Sequence, residues 1–196
     1  MSNSSIDISI MLSTQFHDLR RAALSPNLFP IDLMDETVIR DKMNEIHGNI
    51  NLKVYRIHFA PEQSVYEKLQ LEFFSSLDAY ETWFDTHAYI LEGSSGPTLC
   101  DIQLFSTLVR LPLVYATLFR VSYKALNEST YPNLCLFVKR MYDNLPNIQA
   151  VVEIRGILTN YYTSFALTTK DGKKTVPMAP VCLIERNESN GPPLRE

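Results

Sequence analysis

The chain has 196 residues, with 18 Lys and Arg against 22 Asp and Glu, a formal charge of -4 and a pI near 5.6. That balance removes the basic surface that nucleic acid or an anionic membrane would select. Three cysteines, Cys100, Cys135 and Cys182, are an odd number without a close pair, which argues against a disulfide framework.

No uninterrupted apolar run reaches the roughly 18 residues of a membrane span. The N-terminus has neither the basic start nor the apolar core of a secretory leader, so a cytoplasmic protein is expected. Glycine is scarce, at six residues, and helical spacing dominates over the alternation of strands. The first expected helix covers residues 5–21, with Ile6, Ile10, Phe16 and Leu19 recurring near helical intervals. Pro26 and Pro30 then punctuate a loop over 23–30. A second helix is expected from Ile31 or Asp32 through Met43 and Ile46, breaking near Gly48. The clearest helix spans 61–85, with Pro61 in its first turn. Its apolar stripe is Tyr66, Leu69, Phe73, Leu77, Tyr80 and Phe84.

After a loop over 92–97, Thr98 is followed three residues later by Asp101, which reads as a capping box. The Thr98 hydroxyl accepts from the Asp101 amide, and the carboxylate reaches back to the Thr98 amide. Apolar residues on all sides then predict a buried central helix, bent at Pro112. Two further helices are expected over 131–144 and 147–165. From Thr168 the sequence has no period and is expected to be extended or disordered, docking at Val176-Pro-Met-Ala-Pro180. The expectation is an all-α fold of about six helices, with no sheet and no repeats.

Several segments, in order, carry a family resemblance. They are Val54-Tyr55-Arg-Ile-His-Phe59-Ala, the block from Asp101-Ile-Gln-Leu-Phe through Leu108-Val-Arg110 to Val114-Tyr115, Tyr131-Pro-Asn-Leu134, Tyr161-Tyr162 and Val176-Pro177. Together they resemble the glutathionyl-hydroquinone reductases, the Xi class of glutathione transferases, and their omega-class relatives. The resemblance runs from Ser2 to Pro180. It implies a glutathione-transferase C-terminal-type helical bundle over 25–166, preceded at 1–24 by one leftover helix of a thioredoxin-like domain and followed by a tail at 167–196.

Such enzymes attack a glutathionyl thioether with a low-pKa cysteine of a Cys-Pro pair. The sequence contains no Cys-Pro pair, so no catalytic residue is assigned. Cys100, in the first turn of a helix, could be activated by the helix dipole, but packing as a small apolar side chain is preferred. The resemblance places Ser5 at the serine that grips the γ-glutamyl carboxylate of glutathione at a helix N-terminus. Ser4 replaces the preceding acid. It also places Tyr55, Tyr161 and Tyr162 along the quinol pocket. Adjacent helical tyrosines diverge by about 100°, so at most one of Tyr161 and Tyr162 is expected to face that pocket.

Asn160 stands where the family has histidine, and Arg155-Gly-Ile-Leu158 where it has Asp-His-Ile-Lys. Thr98 and Asp101 are read as a structural cap. His17, His47, His58 and His87 lack metal-ligand spacing, so no metal is expected. The resemblance further implies glutathione as cosubstrate, glutathione or its aromatic conjugates as ligands, and a homo-oligomer or a thioredoxin-like partner chain. Neither nucleic acid nor membrane is expected as a partner. The alternatives are a non-catalytic dimerisation or binding module on a transferase scaffold, and a fragment of a full-length reductase.

Overall fold

The computed structural model describes residues 4–16 and 27–165. Expectations for the end of the first helix, for the loop before residue 27, for His17, for Cys182 and for the tail with Val176-Pro-Met-Ala-Pro180 lie outside them. The described residues are helical, with no strand among them, as the spacing of apolar residues predicts. In chain order they form α1 (Ser5–Gln15), α2 (Glu36–Ile46), α3 (Lys53–His58), α4 (Gln63–Trp83), α5 (Leu99–Leu108), α6 (Ala116–Leu118), α7 (Pro132–Asn144), α8 (Ile148–Val151) and α9 (Ile154–Phe165). Two wide π turns are inserted, His47–Asn51 between α2 and α3 and Leu111–Tyr115 between α5 and α6.

Gly48 does not break its helix. The Leu52 amide closes on the His47 carbonyl at 2.8 Å, and the chain passes through the wide turn into α3. Glycine costs a helix about 1 kcal/mol, and the complete burial of Ile46, Ile50, Val54 and Ile57 outweighs it. Pro61 stands ahead of α4, separated from Gln63 by an extended Glu62 (φ -150°, ψ 162°). The helix expected over 147–165 is divided at Val152 (φ -85°, ψ 80°). There the Glu153 carboxylate accepts from the Gly156 amide and starts α9. The break lets Ile148, Val152, Ile154 and Leu158 all turn inward.

The segment Leu99–Leu118 runs through the centre. Its 20 residues and mean hydropathy of 1.3 meet the length and composition of a membrane-crossing helix, although no apolar run is unbroken, and 67% of the stretch is buried by the surrounding helices. Leu104, Leu108, Val114 and Phe119 meet Ile39 and Ile46 from α2, Phe73 and Leu77 from α4, and Phe137 and Val138 from α7 in one continuous core.

The start of α5 carries the Thr98–Asp101 capping box. The Asp101 carboxylate accepts from the Thr98 amide at 2.8 Å and the Thr98 hydroxyl at 2.7 Å. Its other oxygen takes the Ile90 amide at 2.9 Å, which ties down the loop before the helix. Burial raises the Asp101 carboxyl above its ordinary value, and the bonds from Thr98 and Ile90 oppose that rise.

α7 has no side-chain cap of its own at Tyr131. Glu81 of α4 supplies one from outside: its two oxygens accept from the Asn133 and Leu134 amides, each at 2.9 Å. A carboxylate at these unpaired amides also meets the positive end of the helix dipole.

α1 settles on the bundle through Ile6 and Ile10, both buried. Asp7 reaches Arg40 of α2 at 3.0 Å.

Candidate substrate cleft

A cleft of about 740 Å³ opens between α1, the first wide turn, α5 and α9. Its outer edge is the N-terminus of α1. Ser4 caps that helix by accepting from the Asp7 amide at 3.4 Å, and Ser5, the first helical residue, faces the cleft.

The inner end is a group of phenols. Tyr55 of α3 and Tyr161 of α9, 106 residues apart in the chain, are joined through their hydroxyls at 2.9 Å. Tyr115, the last residue of the second wide turn, joins Tyr161 at 2.8 Å. Phe119 packs against all three rings, with centroids 5.2–5.9 Å away. Burial pushes the hydroxyls of Tyr115 and Tyr161 up, so both remain phenols across the ordinary pH range.

Of the residues singled out from sequence, Ser5, Tyr55 and Tyr161 therefore line one cleft. Tyr162 does not line it. It is buried, and its neighbour Tyr161 takes the face that meets the cleft. Thr98 and Asp101 are fully buried at the start of α5 and also lie off the lining.

Tyr115 and Arg110 are cleft residues that spacing alone did not single out. For Tyr115 the reason is the wide turn that follows Arg110: the Arg110 carbonyl accepts both the Val114 amide at 2.9 Å and the Tyr115 amide at 3.3 Å. That inserted residue rotates Tyr115 out of ordinary helical phase and onto the cleft. The other wide turn acts alike, and His47 and Asn51 from it also face the cleft. Arg110 and Glu153, of opposite charge, both border the cleft, and the Arg110 guanidinium donates to the Ser106 carbonyl. Asn160, at the family's histidine position, borders it as well.

Neither cysteine of the described residues can act as a nucleophile here. Cys100 is fully buried, its Sγ is 3.9 Å from the Ile39 carbonyl, and burial pushes its thiol up to about 12. Desolvation thus outweighs the helix dipole. Cys135 is pushed up to about 11, again by burial. Among the described residues no group of three His, Cys, Asp or Glu side chains gathers as a metal site.

No protein-family model matches the chain. Individual proteins do. It is 30% identical over 164 residues to the glutathionyl-hydroquinone reductase YqjG of Escherichia coli, covering 84% of this chain and 47% of the relative. It is 28% identical over 183 residues to the glutathionyl-hydroquinone reductase PcpF of Sphingobium chlorophenolicum, covering 92% and 54%. The crystal structure of the glutathione-S-transferase Xi from Phanerochaete chrysosporium superposes with a TM-score of 0.80 at 28% identity, over 94% of this chain and 57% of that one. The chain is a glutathione transferase homologue of the Xi and omega-like kind. It spans about half the length of the curated relatives it matches. The homologue's helical fold is that of their C-terminal region. The structure of YqjG that it matches at 31% identity is a glutathione-bound one.

Proposed function

We propose that this homologue forms the substrate-side wall of a glutathione-dependent site of the hydroquinone-reductase or omega-like thiol-transferase type. In this reading residues 25–166 are the substrate-binding helical domain, and α1 belongs to a thioredoxin-like unit that closes the cleft, in the same protein or in a partner chain. Glutathione acts as cosubstrate, with its γ-glutamyl carboxylate at the Ser5 hydroxyl and the amides of α1's first turn. The aromatic part of a conjugate enters between Tyr55 and Tyr161. The protein works in the cytoplasm.

One observation carries the proposal: two tyrosines from α3 and α9 meet hydroxyl to hydroxyl at the inner end of a cleft whose edge is Ser5. Calorimetry on the full chain with glutathione and with a glutathionyl-hydroquinone tests it. The conjugate is expected to bind more tightly than glutathione. Tyr55→Phe should lower conjugate affinity alone, whereas Ser5→Ala should lower both. Equal affinity for the two ligands, unmoved by Tyr55→Phe, would sink the assignment of the aromatic pocket.

A second reading, a binding or dimerisation module without catalysis, is favoured by the buried thiol of Cys100. The purified chain is then expected to bind the conjugate without reducing it. Turnover abolished by Cys100→Ser would overturn that expectation. An in-frame Cys-Pro-bearing segment in the coding sequence upstream of Met1 would favour the reading as part of a longer reductase.

A further inference from the structure

A second groove, of about 400 Å³, lies between α4 and the loop after α6, lined by Tyr66, Glu67, Gln70, Leu71, Ser122 and Tyr123. We propose that it docks a segment of this chain's own tail, Lys174-Thr-Val-Pro177-Met-Ala-Pro180, as a polyproline-type strand. Tyr123 and Leu71 are 60% and 53% exposed, so an aromatic ring and an aliphatic chain stand open to a ligand. The walls are fixed in advance. Gln70, almost fully buried, donates to the Arg120 carbonyl and accepts from the Tyr123 amide at 3.3 Å. The Tyr66 hydroxyl donates to the same carbonyl at 2.6 Å. These bonds hold Arg120 at φ 61°, in the left-handed region, and the Tyr123 ring lies 5.9 Å from that of the buried Phe74. A groove formed before its ligand arrives spares the cost of ordering it on binding.

The segment lies outside the described residues, and its sequence suits the groove. Pro177 and Pro180 fix their own φ, and each holds the residue before it, Val176 and Ala179, to the β or polyproline region. A polyproline helix has three residues per turn, so Lys174, Pro177 and Pro180 fall along one edge. Prolines at this spacing dock in aromatic-lined grooves, here against Tyr66 and Tyr123. Glu67 is the charged residue of the lining and complements the ammonium of Lys174. Arg120, whose guanidinium lies 5.4 Å from the centre of the Tyr66 ring, is not part of the lining. The chain is also long enough. Phe119 packs 5.9 Å from the Tyr161 ring of α9, and the groove begins three residues later at Ser122. Lys174 follows the end of α9 at Phe165 by nine residues, which span up to about 30 Å when extended.

NMR of the full chain with isotope-labelled tyrosine and proline provides the test. Nuclear Overhauser contacts are expected between the rings of Tyr66 and Tyr123 and those of Pro177 and Pro180, at every protein concentration. Their absence would overturn the proposal. Contacts found only between a labelled and an unlabelled chain would put a second copy in the groove and overturn it too. A synthetic peptide of residues 172–182 supplies a second readout. It should bind the Pro177→Ala, Pro180→Ala chain about tenfold more tightly than wild type, whose own tail already fills the groove at high effective concentration. Tyr123→Ala, at an exposed ring, should abolish peptide binding while circular dichroism shows the chain still folded. Binding that survives this change would overturn the assignment of the groove. Equal peptide affinity for wild type and the proline variant would leave the groove to a proline-rich segment of another protein and overturn docking of the tail.

Discussion

Asp101 shows how much one side chain can organise. Its carboxylate takes the Thr98 amide, the Thr98 hydroxyl and the Ile90 amide, so it caps α5 and holds the preceding loop at once. Asp101→Ala leaves these buried donors without a partner. The expected loss is about 2–3 kcal/mol of unfolding free energy, the sum of a lost cap and an unsatisfied amide. Urea unfolding followed by circular dichroism measures it, and an unshifted midpoint would refute the clamp. Cys100 gives a second prediction at this scale. With its thiol buried and pushed up to about 12, it should not react with a thiol reagent at mildly alkaline pH until urea opens the core. Cys100→Ser should therefore leave the initial labelling rate of the folded chain unchanged.

Between helices, buried apolar contact is supplemented by a few polar bridges whose strength depends on pH. Lys53, almost fully buried, donates to Glu72 at 2.7 Å and holds that carboxyl below its ordinary value. For Asp78 of α4, burial would raise the carboxyl, but hydrogen bonds from Lys124 and Tyr131 outweigh it and leave it lowered. Because both groups titrate lower folded than unfolded, their contribution is complete above the unfolded carboxyl range. It is lost as pH falls through that range and on through the lowered folded values. Asp78→Asn should flatten the acid side of a plot of thermal midpoint against pH and leave the neutral side nearly parallel to wild type. A second element-scale prediction concerns Glu81: Glu81→Ala should destabilise the chain by about 1–2 kcal/mol, as loss of a helix cap does.

The elements also explain what could be read from residues alone. The stripe on α4 and the Thr98–Asp101 box are local patterns, and both were legible. Gly48 was misleading because its local cost is small beside the burial of Ile46 and Ile50 on either side. Helical spacing does not place Tyr115 in the cleft, because the wide turn that ends at Tyr115 shifts the helical phase by one position. Tyr55 and Tyr161 came from resemblance. Their hydroxyl contact joins positions 106 residues apart, a distance over which helical spacing has no reach.

For the molecule as a whole, α1 is the unfinished surface. It buries Ile6 and Ile10 but exposes Ile8, Met11, Leu12 and Phe16 by 40–55%. An apolar face of that kind marks an interface, in our reading the one with a thioredoxin-like unit or a second copy. Leu12→Glu is expected to reduce self-association in sedimentation velocity without lowering the unfolding midpoint, since Leu12 stands outside the core. Unchanged association would remove α1 from the interface.

The Glu81 carboxylate on the first amides of α7 has one more consequence, in the order of assembly. A segment of 13 residues nucleates poorly by itself, and the groups that would cap it belong to a helix some fifty positions earlier. α7 should therefore form late, against an α4 already in place. Glu81→Ala is then expected to hasten the unfolding arm of a chevron and leave the refolding arm almost where it was.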